Sequence, residues 1–238
     1  MHGGASPVRG VFMPRDAAAP RTRTPPPLRV DVGTTTRSAT EALGVRVGQA
    51  VTSPKTFQRL AGLRATGRSF DDRVGCAAQV LAIRALAGQR LAHAVEFVFS
   101  TREEVGLEGA KAVAAELGSS VVRVHALDTF VSADAPFEVL TFAVNPIGRG
   151  AVVRALDNSS VTPPALVDSV VALAARLRIP LQVGSTNGGN DGSAFVPYGT
   201  PDIPLSWPLR YSHSPAEVID LGDVVALADL VTALARGQ

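Results

Sequence analysis

Two acidic pairs in this sequence stand where a predicted strand or loop gives way to a helix, the kind of position where catalytic groups often collect. Asp71-Asp72 precedes an apolar helical stretch, and Glu103-Glu104 follows a β-branched, aromatic run. A further carboxylate, Asp128, ends the next predicted strand, and His213 lies in a loop between two serines. Carboxylate oxygens combined with an imidazole suit Zn²⁺, Co²⁺ or Mn²⁺. These residue types therefore indicate a divalent-metal site at the strand ends.

Each of these residues also has an ordinary structural explanation. Asp71-Asp72 is suited to cap the following helix, because the helix macrodipole favours negative charge at its N-terminus. Glu103-Glu104 fits exposed loop charge equally well, Asp128 fits a turn cap, and a lone histidine between serines is more often a surface residue than a ligand. The pattern leaves both interpretations open, although four such features at strand termini together favour the metal site.

Other candidates for chemistry are weaker. His125 lies three residues before Asp128, so on a strand its side chain points to the opposite face. Cys76 falls in a helix that is predicted to be buried, and it has no evident base. The sequence contains no G-x-S-x-G elbow and no Walker-type lysine in a glycine-rich loop. A serine hydrolase and a P-loop nucleotidase are therefore not expected.

Alternating helical and strand-like segments are expected to position the acidic residues. The predicted helices cover residues 74–91, 108–117, 164–177 and 222–234, and the predicted strands cover residues 93–100, 121–128, 180–183 and 203–207. This alternation is typical of an α/β fold with a mostly parallel central sheet and active residues at strand ends. Upstream, glycines break the pattern into short strands and one helix near residues 38–43. We therefore predict a β-rich domain at residues 1–66, with a disordered proline-rich start, and a catalytic α/β domain at residues 67–238.

Composition excludes several classes of protein. With 238 residues and 46% hydrophobic side chains, the chain can bury one substantial core. The 23 Lys+Arg and 21 Asp+Glu are nearly balanced and form no basic run, so nucleic acid is not an expected partner. No apolar run reaches the roughly 18 residues that span a bilayer. A single cysteine fits a reducing compartment, and we expect a cytoplasmic protein.

Five motifs, in this order and spacing, resemble those of the tetrahedral aminopeptidases, a family of dinuclear metallopeptidases that includes deblocking and glutamyl aminopeptidases. They are Ser69-Phe70-Asp71-Asp72-Arg73-Val74-Gly75-Cys76, Glu103-Glu104-Val105-Gly106-Leu107-Glu108-Gly109-Ala110, Asp128 with Asp134, Gly188-Gly189-Asn190-Asp191, and Arg210-Tyr211-Ser212-His213-Ser214-Pro215. Residues 28–33 and 43–48 resemble the end of the family's inserted PDZ-like dimerisation domain. The resemblance implies a three-layer, zinc-exopeptidase-like sandwich that hydrolyses N-terminal residues from peptides.

The resemblance also implies a role for each site residue. Asp71 matches the carboxylate that bridges two metal ions, with a cis peptide bond expected between Asp71 and Asp72. Glu103 matches the general base, while Glu104 and His213 match ligands of one metal and Asp128 a ligand of the other. Two zinc or cobalt ions are implied, with manganese as a third option, as are dimers or dodecamers of the chain.

One departure from the family leaves three alternatives. The family's first His-x-Asp motif, whose histidine completes the second metal's ligands, would lie before Met1. The second ion is therefore expected to be absent or weakly held beside Asp128. The chain is accordingly a part of an ordinary aminopeptidase, a short relative with one metal site and altered activity, or an inactive metal-binding or assembly scaffold.

Overall fold

The computed structural model describes residues 6–13, 28–54, 56–135 and 144–237. Most of the predicted proline-rich N-terminus, together with His2, lies outside these residues. The chain forms two compact units, Met1–Pro54 and Lys55–Gln238. The division falls earlier than residue 66 because the segment after Pro54 pairs with strands of the second unit.

Within its described residues, the first unit contains two short strands and one helix. Strand β1 (Val11–Phe12) pairs antiparallel with β2 (Val30–Asp31), and helix α1 (Arg37–Ala42) follows. Thr36 caps α1, since its hydroxyl accepts a hydrogen bond from the Ala39 N–H at 3.2 Å. The short helix that glycine spacing predicts near residues 38–43 is thus present.

The second unit alternates strands and helices. In chain order its elements are β3 (Gln58–Arg59), β4 (Arg64–Gly67), α2 (Phe70–Leu86), α3 (Glu108–Leu117), β5 (Leu127–Val131), β6 (Ala151–Leu156), α4 (Pro164–Leu177), β7 (Leu181–Ser185), β8 (Leu205–Leu209), β9 (Glu217–Asp220) and α5 (Leu221–Ala235). Short 3-10 helices cover Glu103–Val105, Gly118–Ser120 and Asp191–Tyr198. Within the described residues, no helix has the length and apolar character needed to cross a membrane.

Two sheets organise this unit. The central four-stranded sheet has the order β5-β8-β6-β7, in which β5 runs parallel to β8 and β6 runs parallel to β7. Among the strand pairs that the described residues form in this sheet, only β6–β8 is antiparallel. A second, three-stranded antiparallel sheet has the order β3-β4-β9. The prediction of an α/β fold with a mostly parallel central sheet is confirmed.

The core lies between the central sheet and the helices. Helix α2 contributes Val74, Ala78 and Ala82, which recur at four-residue spacing and so share one face. Helix α5 contributes a broader apolar surface that includes Leu227 and Leu230. Helix α5 packs on β6 and β8, whose core residues include Val153, Leu205, Trp207 and Leu209, while α2 packs on α5 and β5. Trp207 is therefore a core residue, and the tight packing fixes the ends of α2 and β8 that lead into the candidate site.

The predicted strand at residues 93–100 is wrong. In the described part of the chain, these residues form no ladder with a neighbour, and a strand is defined by such pairing. Gln79 of α2 instead donates its side-chain amide to the Val98 carbonyl at 3.2 Å. Phe97 packs against the core, while Phe99 is exposed. A β-branched, aromatic composition favours a strand only where a partner is available.

The predicted strand at residues 121–128 is shifted. Strand β5 begins at Leu127, because its register partners in β8 begin at Leu205. Asp128 therefore lies inside the strand and pairs with Ser206 in the register, rather than ending the strand. Its side chain is consequently fixed by the sheet and not by a loop.

Candidate active site

Asp71 and Asp72 point to different places, Asp72 toward the start of α2 and Asp71 toward the cleft. The peptide bond between the two residues is cis, as the resemblance implies, and neither residue has helical φ/ψ angles. Asp72 accepts a hydrogen bond from the Gly75 N–H at 3.1 Å, so Asp72 caps the regular part of α2. Asp71 instead turns toward the loop near the C-terminus, where Ser212 donates its hydroxyl to Asp71 Oδ2 at 3.3 Å.

The second acidic pair lies on the 3-10 helix Glu103–Val105. Arg102 before it and Gly106 after it both adopt left-handed backbone angles, with φ values of 62° and 118°. This turn exposes Glu104, whose side chain is 54% accessible, and brings its Oε2 to 3.1 Å from His213 Nε2. Glu104 is thus an open-sided candidate ligand on a short, tightly turned segment.

His213 completes a cluster of three candidate ligands. Its Nε2 lies 3.1 Å from Asp71 Oδ2 and 3.1 Å from Glu104 Oε2. One ligand atom from each of the three residues falls within 4.8 Å of the others, a spacing that a single ion can bridge. The histidine side chain is 69% exposed, and Tyr211 and His213 both have left-handed φ angles that bend the loop toward Asp71. The predicted ligands Asp71, Glu104 and His213 therefore converge.

Asp128 faces the same cleft but has other partners. Its Oδ1 accepts the Thr129 N–H at 2.6 Å, and its Oδ2 lies 3.3 Å from a guanidinium nitrogen of Arg154. Asp128 is not part of the three-residue cluster. Burial raises the pKa of Asp128 to about 7, an effect that the Arg154 charge opposes and the Asp71 charge reinforces. The predicted ligand set is accordingly divided into three converging groups and one that is paired with a cation.

Arg154 is the residue that sequence analysis missed. It is 2% exposed, and it donates to Ser206 Oγ at 2.8 Å, Asp157 Oδ2 at 3.0 Å and the Gly189 carbonyl at 3.2 Å. It also donates to the Thr129 carbonyl. A charged residue inside the apolar strand Ala151–Leu156 was the available signal, because a buried arginine needs a carboxylate partner.

Glu103 has the electrostatic surroundings of a proton acceptor. Its pKa is raised to about 7, first by burial and then by the negative charges of Glu104, Asp191 and Asp71, while His213 opposes the shift. Asp191 accepts a hydrogen bond from the Ser100 hydroxyl. The glycine-rich loop therefore contributes both a turn, in which Asn190 caps the following 3-10 helix, and a charge beside Glu103.

These side chains line one cleft of about 450 Å³. Its walls are formed by Asp71, Glu103, Glu104, Asp128, Thr129, Val131, Arg154, Asn187, Gly188, Gly189, Ser212 and His213. The donors are carboxylate oxygens with one imidazole nitrogen, which is the set that borderline divalent ions prefer. The cleft can thus combine a cation site with a carboxyl group that exchanges a proton near neutral pH.

His125, His93 and Cys76 lie outside the cleft. His125 Nδ1 lies 3.0 Å from the Ile203 carbonyl, and burial lowers the pKa of His125 to about 4. His93 is exposed. Cys76 is also exposed, contrary to the buried position expected in its helix, because the buried face of α2 follows Val74, Ala78 and Ala82. None of the three lines the cleft.

Comparison with known proteins identifies relatives of the chain. The family model described as M42 glutamyl aminopeptidase matches residues 5–230. The chain is 31% identical to the lysyl aminopeptidase of Pyrococcus furiosus over 215 residues, which cover 86% of this chain and 58% of that protein. Among solved structures, the aminopeptidase APDkam598 of Desulfurococcus kamchatkensis is 29% identical, with a TM-score of 0.85 and coverage of 96% of this chain and 65% of its own.

A second structural relative is described as the PhTET1-12s dodecamer. It is 32% identical, with a TM-score of 0.78 and coverage of 96% of this chain and 68% of its own. The chain spans little more than half the length of the curated relatives that it matches, 56–58% in the longest alignments.

Proposed function

Because the chain belongs to the M42 glutamyl aminopeptidase family, we propose that it is a metal-dependent aminopeptidase that removes N-terminal residues from peptides. The observation that carries the proposal is one cleft that contains three converging candidate ligands and Glu103, whose pKa is raised to about 7. Since the relatives are longer, the proposal concerns the activity of this chain and is tested on this chain.

We assign the metal-binding role to four side chains. Asp71, Glu104 and His213 would hold one divalent ion, either zinc or cobalt, with manganese as a third option. Asp128 would hold a second ion more weakly, because the Arg154 guanidinium lies 3.3 Å from its carboxylate. Divalent ions at these positions supply Lewis acidity, which polarises a carbonyl group and lowers the pKa of water.

Glu103 has the role of general base. A general base that activates water for attack on a peptide bond must accept a proton from that water and later pass it to the leaving amine, and a pKa near 7 suits both steps. In the ion-free cleft, burial and the charges of Glu104, Asp191 and Asp71 give Glu103 this proton affinity.

We extend the proposal to assembly and location. The first compact unit would form part of a PDZ-like dimerisation domain, and the second unit would form the catalytic domain with a three-layer arrangement. Structural relatives are described as a dodecamer and as a tetrahedron or octahedral shell, which supports a homo-oligomer here. Cytoplasmic location, peptide substrates and no nucleic-acid partner complete the proposal.

The test is release of p-nitroaniline from unblocked aminoacyl-p-nitroanilides, with added Zn²⁺, Co²⁺ or Mn²⁺. Glu103→Gln should abolish activity and retain the ion, because the glutamine amide cannot accept the proton. Glu116→Gln, an exposed position on α3, is the matched control and should retain full activity. A wild-type chain that binds metal but releases no product would instead support an inactive scaffold.

A further inference from the structure

Glu217 connects the two chain segments that carry Asp71 and His213. It is the first residue of β9, it is 2% exposed, and it pairs with Gly67 in the β4–β9 register. Its Oε2 accepts the Phe70 N–H at 2.6 Å, and its Oε1 accepts the His213 N–H at 3.2 Å. One buried carboxylate therefore holds the backbone directly before Asp71 and the backbone of His213 itself.

The two segments that Glu217 joins have irregular backbones. Ser69 and His213 have left-handed φ angles of 65° and 59°, which are unfavourable for residues with a Cβ. Asp71 lies outside helical angles. Such conformations persist only when surrounding contacts fix them. The pair of hydrogen bonds to Glu217 provides this constraint from inside the protein, on the side away from the cleft surface.

A carboxylate at this buried position needs specific partners. Burial of an acid close to Asp71 is unfavourable, and an apolar side chain would fill the space without that cost. Each carboxylate oxygen, however, is matched to one of two backbone donors, which an apolar residue cannot satisfy. The arrangement is the one expected where an outer group orients ligands that must stay at a fixed separation.

We propose that Glu217 is a positioning residue that sets the separation between Asp71 and His213 and thereby the affinity of the ion site. The inference rests on the proposed metal site. It assigns to Glu217 no contact with substrate or with the ion. A glutamine side chain would be a poor substitute at this position, because its amide offers one acceptor oxygen and would present an N–H donor to the second backbone N–H.

The experiment compares Glu217→Gln with Asp223→Asn in the same chain. Asp223 is also a buried carboxylate, and it accepts two backbone N–H groups, those of Gly148 and Gly150, each at 2.6 Å. The Asp223→Asn substitution disturbs a comparable pair of backbone hydrogen bonds, and neither of the two donor residues is a candidate ligand. Binding of Co²⁺ is measured by calorimetry and by the visible absorption of the bound ion, which reports its coordination geometry.

We expect Glu217→Gln to weaken Co²⁺ binding about 10-fold or more and to change the absorption spectrum. Asp223→Asn should bind within about twofold of the wild type, since losing a structural bond leaves ligand geometry unchanged. Equal affinity and an unaltered spectrum in Glu217→Gln would overturn the inference. A wild-type chain that binds no Co²⁺ would overturn the proposed metal site itself.

Amide hydrogen exchange of the wild-type chain provides a second measurement that needs no variant to fold. The amides of Phe70 and His213 should be protected both without metal and with it, because Glu217 accepts both. Rapid exchange of either amide in the folded chain would contradict the proposed positioning role, whatever the metal titration shows.

Discussion

The two sides of the cleft hold their acidic residues in different ways. On the open side, Asp71, Glu104 and His213 project from turns, and two of these three side chains are more than half exposed. On the buried side, Asp128 lies on a central strand beside Arg154, which is buried and donates hydrogen bonds to several acceptors. The first side leaves negative charge available to an added cation, and the second side already contains one. Residues of the same chemical type are therefore expected to differ in their affinity for a metal ion.

The largest effect on the difference between the two sides is expected from Arg154→Met. Removing the guanidinium leaves Asp128 and Asp157 buried without their common cation, and loss of one partner of a buried pair costs about 3–5 kcal/mol. Urea unfolding of the variant should show this loss in the free energy of unfolding. Added Co²⁺ should restore part of it by neutralising Asp128. If Co²⁺ stabilises wild type and variant equally, the charge of Arg154 does not control ion binding at Asp128.

The next largest effect is expected at the open side. Glu104→Gln removes an anionic ligand, so activity with Co²⁺ should fall about 100-fold or more, since loss of even a group that only orients a ligand costs 10–100-fold. Asp128→Asn should lower the affinity for the tightly held ion much less. The check is a Co²⁺ titration of both variants followed by anilide hydrolysis. An equal fall in affinity for the tightly held ion in the two variants would show that the two sides do not differ in ion binding.

Acid should destabilise the buried side through His125. Because its folded pKa is lowered to about 4, the unfolded state binds its proton first as the pH falls. Its contribution to stability is therefore complete above pH 6.5 and is lost progressively between pH 6.5 and 4, up to about 3 kcal/mol. His125→Gln should flatten that part of the stability profile measured by urea unfolding. His93→Gln, at an exposed position, is the control; an equally flattened profile in that variant would exclude His125 as the source.

The smallest effect is expected at Ser212. Its hydroxyl donates to Asp71 at 3.3 Å, a long bond that is shared with the histidine contact. Ser212→Ala should therefore change Co²⁺ affinity by less than about threefold, which corresponds to under about 0.7 kcal/mol. A change of tenfold or more would mean that side-chain contacts on the open side, rather than backbone support from Glu217, fix Asp71.

Much of the fold was predictable where helix signals are local. Helices α3 and α4 occupy the residues predicted for them, and α4 starts at Pro164 as a proline in the first turn favours. The strand expected at residues 93–100 was wrong because pairing depends on a distant partner that a local pattern does not reveal. The register of β5 was likewise determined by β8.

The candidate site was predictable in its residue types and only in part in its geometry. Spacing and resemblance named Asp71, Glu104 and His213, which do converge. The partner of Asp128 and the contacts of Glu217 depend on which strands lie side by side, and no short motif encodes that. At the Asp71-Asp72 motif, Asp72 has the helix-capping role that was one of the two alternatives, while Asp71 faces the cleft and keeps its predicted role as a ligand.

The pairing of β4 with β9 has a consequence for biosynthesis. These strands lie at opposite ends of the second unit's sequence, and the ion cluster takes Asp71 from just after one and His213 from just before the other. Long-range pairing of this kind forms late, because a large loop must close first. A nascent chain that has emerged only as far as β8 therefore has no complete ion cluster. The three candidate ligands therefore come together only after nearly the whole unit has emerged from the ribosome.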